Sequence, residues 1–179
     1  MNVYLACALT AVPRGAFKEY TQFLHSLAQS LRSSGCSAVR YALIDSDPQL
    51  AEKPYTDRAR LCYLWDREMV EQADVVVADA TYPSIGLGIE IQIAETKGIP
   101  IILCFKQSPE TRVPQVNYQN PDLSHHALQI GDGYASLMAL GVPTVFKTVP
   151  YTSIDAGISS IVEAVTVLRR SSLASKAKR

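Results

Sequence analysis

The stretch DVVVADATYPSIGLGIEIQIAETKGIP, Asp74 to Pro100, sets a strand, a turn, a helix and a stop in direct succession. DVVVADA is short, rich in Val and almost wholly apolar, the pattern of a strand covered on both faces. Pro83, Ser84, Gly86 and Gly88 suit a loop that feeds a helix. That helix is predicted over Gly86 to Lys97 and stops at Gly98-Ile99-Pro100, where glycine favours the cap and proline cannot continue the ladder.

The same alternation extends on either side. Asn2 to Ala8 reads as a buried strand, broken by Pro13-Arg14-Gly15. Phe17, Tyr20, Phe23, Leu24, Leu27 and Leu31 then recur at helical spacing, so Ala16 to Ser33 is predicted as an amphipathic helix capped at Gly35. Ala38 to Ile44 reads as a second strand, the polar DSDPQLAEKP as a loop, and Asp57 to Gln72 as a helix. Beyond the central unit, Ile99 to Phe105 is a strand. Lys106 to Asp122, with three prolines, is a long loop or lid. Ala135 to Leu140 is a short helix, Thr144 to Val149 a fifth strand and Ser153 to Leu168 a closing helix.

Strands alternating with helices predict an α/β fold of the doubly wound kind, flavodoxin-like or Rossmann-like. Its five-stranded, mainly parallel sheet carries helices on both faces. No repeat or linker divides the chain, so one domain is expected over residues 1–170, with 171–179 as a disordered tail. The loops after Ala8, Ile44, Asp79 and Phe105 open on the carboxyl edge of the sheet, where such folds bind ligands.

Composition narrows the function. Of 179 residues, 47% are apolar, enough for an ordinary interior, and 17 basic residues balance 17 acidic ones. No bulk field therefore recruits a nucleic-acid polymer or an anionic membrane, although a local pocket for a small anion is compatible with this balance. Cys7, Cys36, Cys62 and Cys104 are far apart with no CxxC spacing, which reads as free thiols in a reducing, cytoplasmic setting. The neighbouring His125 and His126 lack partners at metal spacing, so neither metal nor cofactor is expected. MNVYLACALTAV lacks the basic flank of a leader and reads as the first strand, and no apolar run reaches membrane-spanning length.

Glu90 is out of place in this pattern. At about 100° per residue, Gln92, Glu95 and Thr96 share the solvent side of their helix, while Glu90 projects between Ile93 and Ala94. A buried carboxylate without a partner costs several kcal/mol and shows a raised pKa. Either Glu90 pairs with an arginine or a backbone cap, or it serves a cleft. Its neighbourhood points to the cleft. Ser84 sits where its hydroxyl can cap the helix or bind a ligand. The amides of Ile85 and Gly86 open the first turn, where amides and helix dipole favour an anion, and glycines at 86 and 88 permit close approach. GLGIE lacks the third glycine of a Rossmann fingerprint, the lysine of a P-loop and the GxSxG order of a nucleophile elbow. Asp66, in CYLWDREMVEQ, is a second unmatched acid, since positions 62 and 70 are Cys and Val and offer no i,i+4 base. Tyr4 reads as a core aromatic of the first strand.

Asp66, then EQADVVVADATYPSIGLGIE, then IPIILCF together resemble the nucleoside 2-deoxyribosyltransferase superfamily, most of all its 2'-deoxynucleoside 5'-phosphate N-hydrolase branch. Every position of that branch's T-x-P-S-x-G-x-G-x-E turn is matched, from Thr81 through Pro83, Ser84, Gly86 and Gly88 to Glu90. The similarity runs from about Asn2 to Phe105 and is specific from Trp65 to Phe105. It implies Glu90 as the nucleophile at the anomeric carbon, Asp66 as the group assisting departure of the base, and Tyr4 as the residue positioning the nucleophile. Ser84 and the amides behind it, Ile85, Gly86 and Gly88, would hold the 5'-phosphate. The branch's first strand ends in a Gly-Ser loop followed by Arg, whereas here Cys7-Ala8-Leu9-Thr10 occupies that place. Ala8 and Leu9 thus stand at a substrate-contact position with different chemistry, and Arg14 is the nearest substitute.

The resemblance implies an N-glycoside hydrolase of (deoxy)nucleoside 5'-monophosphates working through a glycosyl-enzyme. The alternatives are a 2-deoxyribosyltransferase exchanging bases on free deoxynucleosides, and a non-catalytic nucleotide-binding module. The loop that begins at Asp45 and the Lys106 to Asp122 segment are the expected readers of the base. A small-molecule nucleoside or nucleotide is the expected partner, along with a second copy of the chain in a homodimer.

Overall fold

A run such as VVVAD is stable at the centre of a sheet only if both faces are covered. The computed structural model, which describes residues 1–176, places it there with Val75 to Asp79 fully excluded from solvent. In chain order the elements are β1 (Asn2–Cys7), α1 (Arg14–Ser33), β2 (Ala38–Arg40), α2 (Ala42–Asp45), α3 (Asp47–Ala51), α4 (Tyr55–Glu71) and β3 (Val75–Asp79). There follow α5 (Ile85–Thr96), β4 (Ile101–Lys106), β5 (Asn117–Gln119), β6 (His125–Ala127), α6 (Leu137–Leu140), β7 (Val145–Tyr151) and α7 (Ile154–Lys176).

The main sheet has the order β2-β1-β3-β4-β7, and every pair in it is parallel. Side chains alternate across it as strand geometry requires. Val3, Leu5, Val75 and Val77 pack with α1 and α7 residues such as Leu24, Leu27 and Ile161. Tyr4, Ala6, Val76 and Ala78 pack on the other face with Met69 and Val70 of α4 and Leu87 and Ile91 of α5. The fold is the expected α/β one, with helices on both faces of a five-stranded parallel sheet.

Helix ends follow local chemistry. After α5, Gly98 takes φ +66°, and the amides of Gly98 and Ile99 donate to the carbonyls of Glu95 and Ala94. This paired closure satisfies the last carbonyls and needs the left-handed residue that glycine supplies.

Four expectations change. The strand expected over Ala38 to Ile44 ends at Arg40, because the Tyr41 amide donates to Asp45 Oδ2 at 2.9 Å and the chain turns helical as α2. The loop DSDPQLAEKP contains α3, with Pro48 in its first turn, where a missing amide is harmless. The Lys106 to Asp122 segment carries β5, which pairs antiparallel with β6 in a separate exposed hairpin. Finally, α7 continues to Lys176, so residues 171–176 of the expected tail are helical, while residues 177–179 lie outside the described residues.

The end of β3 is anchored by a buried polar knot. Asp79, with no exposure, accepts the Tyr20 hydroxyl on Oδ1 and the Tyr151 hydroxyl on Oδ2, each at 3.0 Å. Thr81 donates its amide to Asp79 Oδ1 at 3.2 Å and receives the Lys106 amide on its hydroxyl at 2.9 Å. The knot ties α1, β3, β4 and β7 together at the point where the TYPS turn departs. Replacing Asp79 with Leu orphans the buried Tyr20 hydroxyl and the Thr81 amide and leaves the Tyr151 hydroxyl only Thr81 Oγ1 at 3.2 Å, so a loss of about 3 kcal/mol is expected. Urea unfolding of the variant checks it, and a loss under about 1 kcal/mol would contradict it.

Candidate active site

The sheet order reverses between β1 and β3: the chain leaves β1 toward β2 on one side and returns to β3 on the other. A crevice therefore forms beyond the carboxyl ends of these strands. The helices that follow, α4 and α5, pack against each other over the face bearing Tyr4.

Glu90 lies on the buried side of α5 with Leu87, Ile91 and Ala94, and is 8% exposed. Tyr4, 1% exposed, donates its hydroxyl to Glu90 Oε1 at 2.6 Å. Glu90 Oε2 is equally buried and has no hydrogen-bond partner among the described residues. Burial pushes the Glu90 carboxyl up to about 8, the Tyr4 hydrogen bond opposes this, and the neighbouring charge of Asp66 adds to it. No arginine or backbone group among the described residues pairs with Glu90, so its carboxyl has one oxygen held by Tyr4 and the other buried without a partner.

Asp66 is half-buried on α4. Ser46, 1% exposed, donates its hydroxyl to Asp66 Oδ1 at 2.8 Å, and the Cys62 thiol donates to Oδ2 at 3.4 Å. Burial holds the Asp66 carboxyl above its ordinary value, and the hydrogen bonds from Ser46 and Cys62 limit that rise. The structure thus brings Tyr4, Asp66 and Glu90 into one electrostatic neighbourhood, since both carboxylates push the Tyr4 hydroxyl pKa upward.

The α5 entrance has the expected cap. Ser84 Oγ accepts the Leu87 amide at 3.2 Å, and the amides of Ile85 and Gly86 precede the helical ladder. A Cβ on Gly88 would meet nothing within 4 Å, and one on Gly86 only Ser84 Oγ at 3.7 Å. Packing therefore does not demand these glycines, and they leave open the approach to the turn. Ala8 is fully buried and Leu9 partly exposed at the end of β1. Asp45, expected at the substrate, spends its carboxylate on the Tyr41 amide and stands 3.8 Å from Arg40. Its neighbour Ser46 is the loop residue that reaches the acid pair.

A chamber of about 730 Å³ lies between α5 and the 111–142 segment. Its lining includes Ser84, Leu87, Gly88, Ile91, Tyr134 and Met138 and none of Tyr4, Asp66 or Glu90, so it borders the Glu90 helix without taking in either acid. No group of three or more metal-ligating side chains occurs among the described residues.

Comparison with known proteins follows this geometry. No family model matches the chain. A protein of Thermofilum pendens, named "Putative 2'-deoxynucleoside 5'-phosphate N-hydrolase 1", is 33% identical over 102 residues, 57% of this chain and 66% of the relative. A protein of the same name from Syntrophotalea carbinolica is 34% identical over 62 residues, 35% of this chain and 44% of the relative. Over part of its length the chain is thus similar to curated proteins named as 2'-deoxynucleoside 5'-phosphate N-hydrolases, and the matched segments span 44% and 66% of these two relatives. Among solved structures, the Clostridium botulinum CMP N-glycosidase BcmB superposes with a TM-score of 0.53 at 18% identity, covering 90% of this chain and 97% of that one. That likeness shows the shared fold.

Ser46 and Cys62 were missed as site residues. Ser46 lies twenty residues before Asp66, in a stretch whose polar, proline-bearing composition signals only a turn. Cys62, one helical turn before Asp66, was weighed only as an absent base, though a thiol can also donate. A direct check on the site is Tyr4→Phe. Oε1 then loses the donor that favours the charged form, so the Glu90 midpoint should rise by about one unit. Side-chain carboxyl NMR reads it, and an unchanged or lowered midpoint would contradict the Tyr4 assignment.

Proposed function

We propose that the chain is an N-glycosidase that releases the base from a (deoxy)nucleoside 5'-monophosphate, with Glu90 as the nucleophile. The observation that carries this is Glu90 itself: Oε1 held by Tyr4 at 2.6 Å, and a buried Oε2 without a protein partner. The names of the sequence relatives support the same reading.

Cleaving an N-glycosidic bond passes through an oxocarbenium-like state, which a nearby carboxylate stabilises or traps. The amides of Ile85 and Gly86 at the start of α5 take the 5'-phosphate together with the Ser84 hydroxyl, which accepts the Leu87 amide and still has its proton to donate. One helical turn separates that anion site from Glu90, which suits a sugar with phosphate at C5' and the reacting carbon at C1'. As the C1'–N bond breaks, its electron pair moves onto the base nitrogen and Oε2 bonds to C1'. Asp66, beside the acid and next to the 45–54 loop, assists the base. Water then opens the glycosyl-enzyme.

The test is base release, followed by chromatography, from a panel of ribo- and deoxynucleosides and their 5'-monophosphates, each with and without a competing free base. Release confined to monophosphates supports the proposal. Base exchange on free nucleosides would make the chain a transferase, and nucleotide binding without release would make it a binding module.

A further inference from the structure

The two acids of the site are held in opposite ways. Glu90 has one donor, Tyr4, and a second oxygen facing no protein partner. Asp66 has a donor on each oxygen: Ser46 on Oδ1 and Cys62 on Oδ2. A carboxylic acid must turn one oxygen into a donor. Two donors aimed at the same carboxyl therefore favour the ion, whereas a bare oxygen has room for a proton. The ionisable groups coupled electrostatically to Asp66 are Asp47 from α3, Cys62 from its own helix, Tyr4 and Cys7 from β1 and Glu90 from α5. None of these is a cation, so hydrogen bonds rather than an ion pair must keep Asp66 charged.

We propose that Ser46, assisted by Cys62, is a positioning residue that keeps Asp66 ionised in the resting protein, while Glu90, with one oxygen free of donors, carries a proton. The raised Glu90 carboxyl, with the charge of Asp66 among its causes, agrees with that order. The consequence for catalysis rests on the N-glycosidase reading. When Oε2 bonds to C1' and the C1'–N bond breaks, the base nitrogen gains one proton and Glu90 loses one. In this reading Asp66, whose charge is coupled to Glu90, carries that proton from Glu90 to the base nitrogen. In the second half, the Oε2–C1' bond breaks, the water oxygen bonds C1', and the proton that water sheds restores Glu90. Each half-reaction balances without a proton from bulk solvent.

The experiment has two readouts on the full chain. Side-chain carboxyl NMR, with Asp66 assigned by its loss in Asp66→Asn, follows its titration without any turnover. Ser46→Ala should raise the Asp66 midpoint by about one unit, Ser46→Thr should restore it, and Cys62→Ala should raise it by less than Ser46→Ala does. The pH profile of base release from an equimolar mixture of the common 2'-deoxynucleoside 5'-monophosphates should show its acid limb moving up in parallel, while the alkaline limb set by Glu90 stays in place. An unmoved Asp66 midpoint in Ser46→Ala, or a uniform fall in rate at every pH, overturns the inference. A shifted midpoint in a protein that releases no base upholds the clamp and removes the N-glycosidase reading instead.

Discussion

Glu90→Gln is expected to leave a folded protein that releases base at about one ten-thousandth of the parent rate or less, the scale seen when an enzyme loses its nucleophile. The substitution is nearly isosteric. The amide oxygen still accepts the Tyr4 hydroxyl, and the side chain still fills its place among Leu87, Ile91 and Ala94. It lacks an oxygen able to carry negative charge toward C1'. Substrate binding at the start of α5 does not involve this group, so KM should move little while kcat collapses. A kcat within tenfold of the parent would remove Glu90 from the chemistry.

The same variant should be the more stable protein in alkali. In an unfolded chain a glutamate titrates near 4.3, whereas burial holds Glu90 at about 8 in the folded state. Below about pH 4 both states carry the proton and the group contributes nothing to the pH dependence. As pH rises from there, the unfolded state loses its proton first. Parent stability therefore declines by up to about 1.4 kcal/mol per unit until the folded carboxyl ionises near pH 8. Glutamine has no such titration. Urea unfolding should find the two proteins close at about pH 5 and the variant ahead by on the order of 4 kcal/mol at about pH 9. A variant less stable at both values would mean that Glu90 is a structural carboxylate after all. Stability sacrificed at one buried charge is what a reactive group costs its fold.

How much of this was legible follows from range. The β3–turn–α5 unit rests on signals within a few residues of each other: a Val run, a Ser cap and a Gly-Ile-Pro stop. Its boundaries came within one or two residues of the structure. Glu90 stood out because helical projection put a charge on an apolar side, and the side it projects toward is buried. Tyr4 was legible as buried, but its role was not, since the partner of its hydroxyl lies 86 residues on. Asp45 was named because it opens the loop expected to read the base; its carboxylate accepts the Tyr41 amide, and the next residue, Ser46, donates to Asp66, a pairing that no local signal marks. The β5–β6 hairpin eluded the pattern because all its residues are exposed and no alternation of apolar and polar positions marks it. Asp79 read as the end of a strand, while three of its partners come from Tyr20, Thr81 and Tyr151 in different parts of the chain.

A glycosyl bond to Glu90 can be trapped and weighed. The chain would be mixed with a 2-fluoro-2-deoxy-arabinosyl nucleoside 5'-monophosphate, whose fluorine slows opening of a glycosyl-enzyme by destabilising positive charge at C1'. The protein would then be digested and its peptides weighed. The account predicts a stoichiometric gain of one fluorinated sugar phosphate on the peptide that contains Glu90, with one base released per chain and no adduct in Glu90→Gln. An adduct on another residue, or base release that continues undiminished in Glu90→Gln, would contradict it.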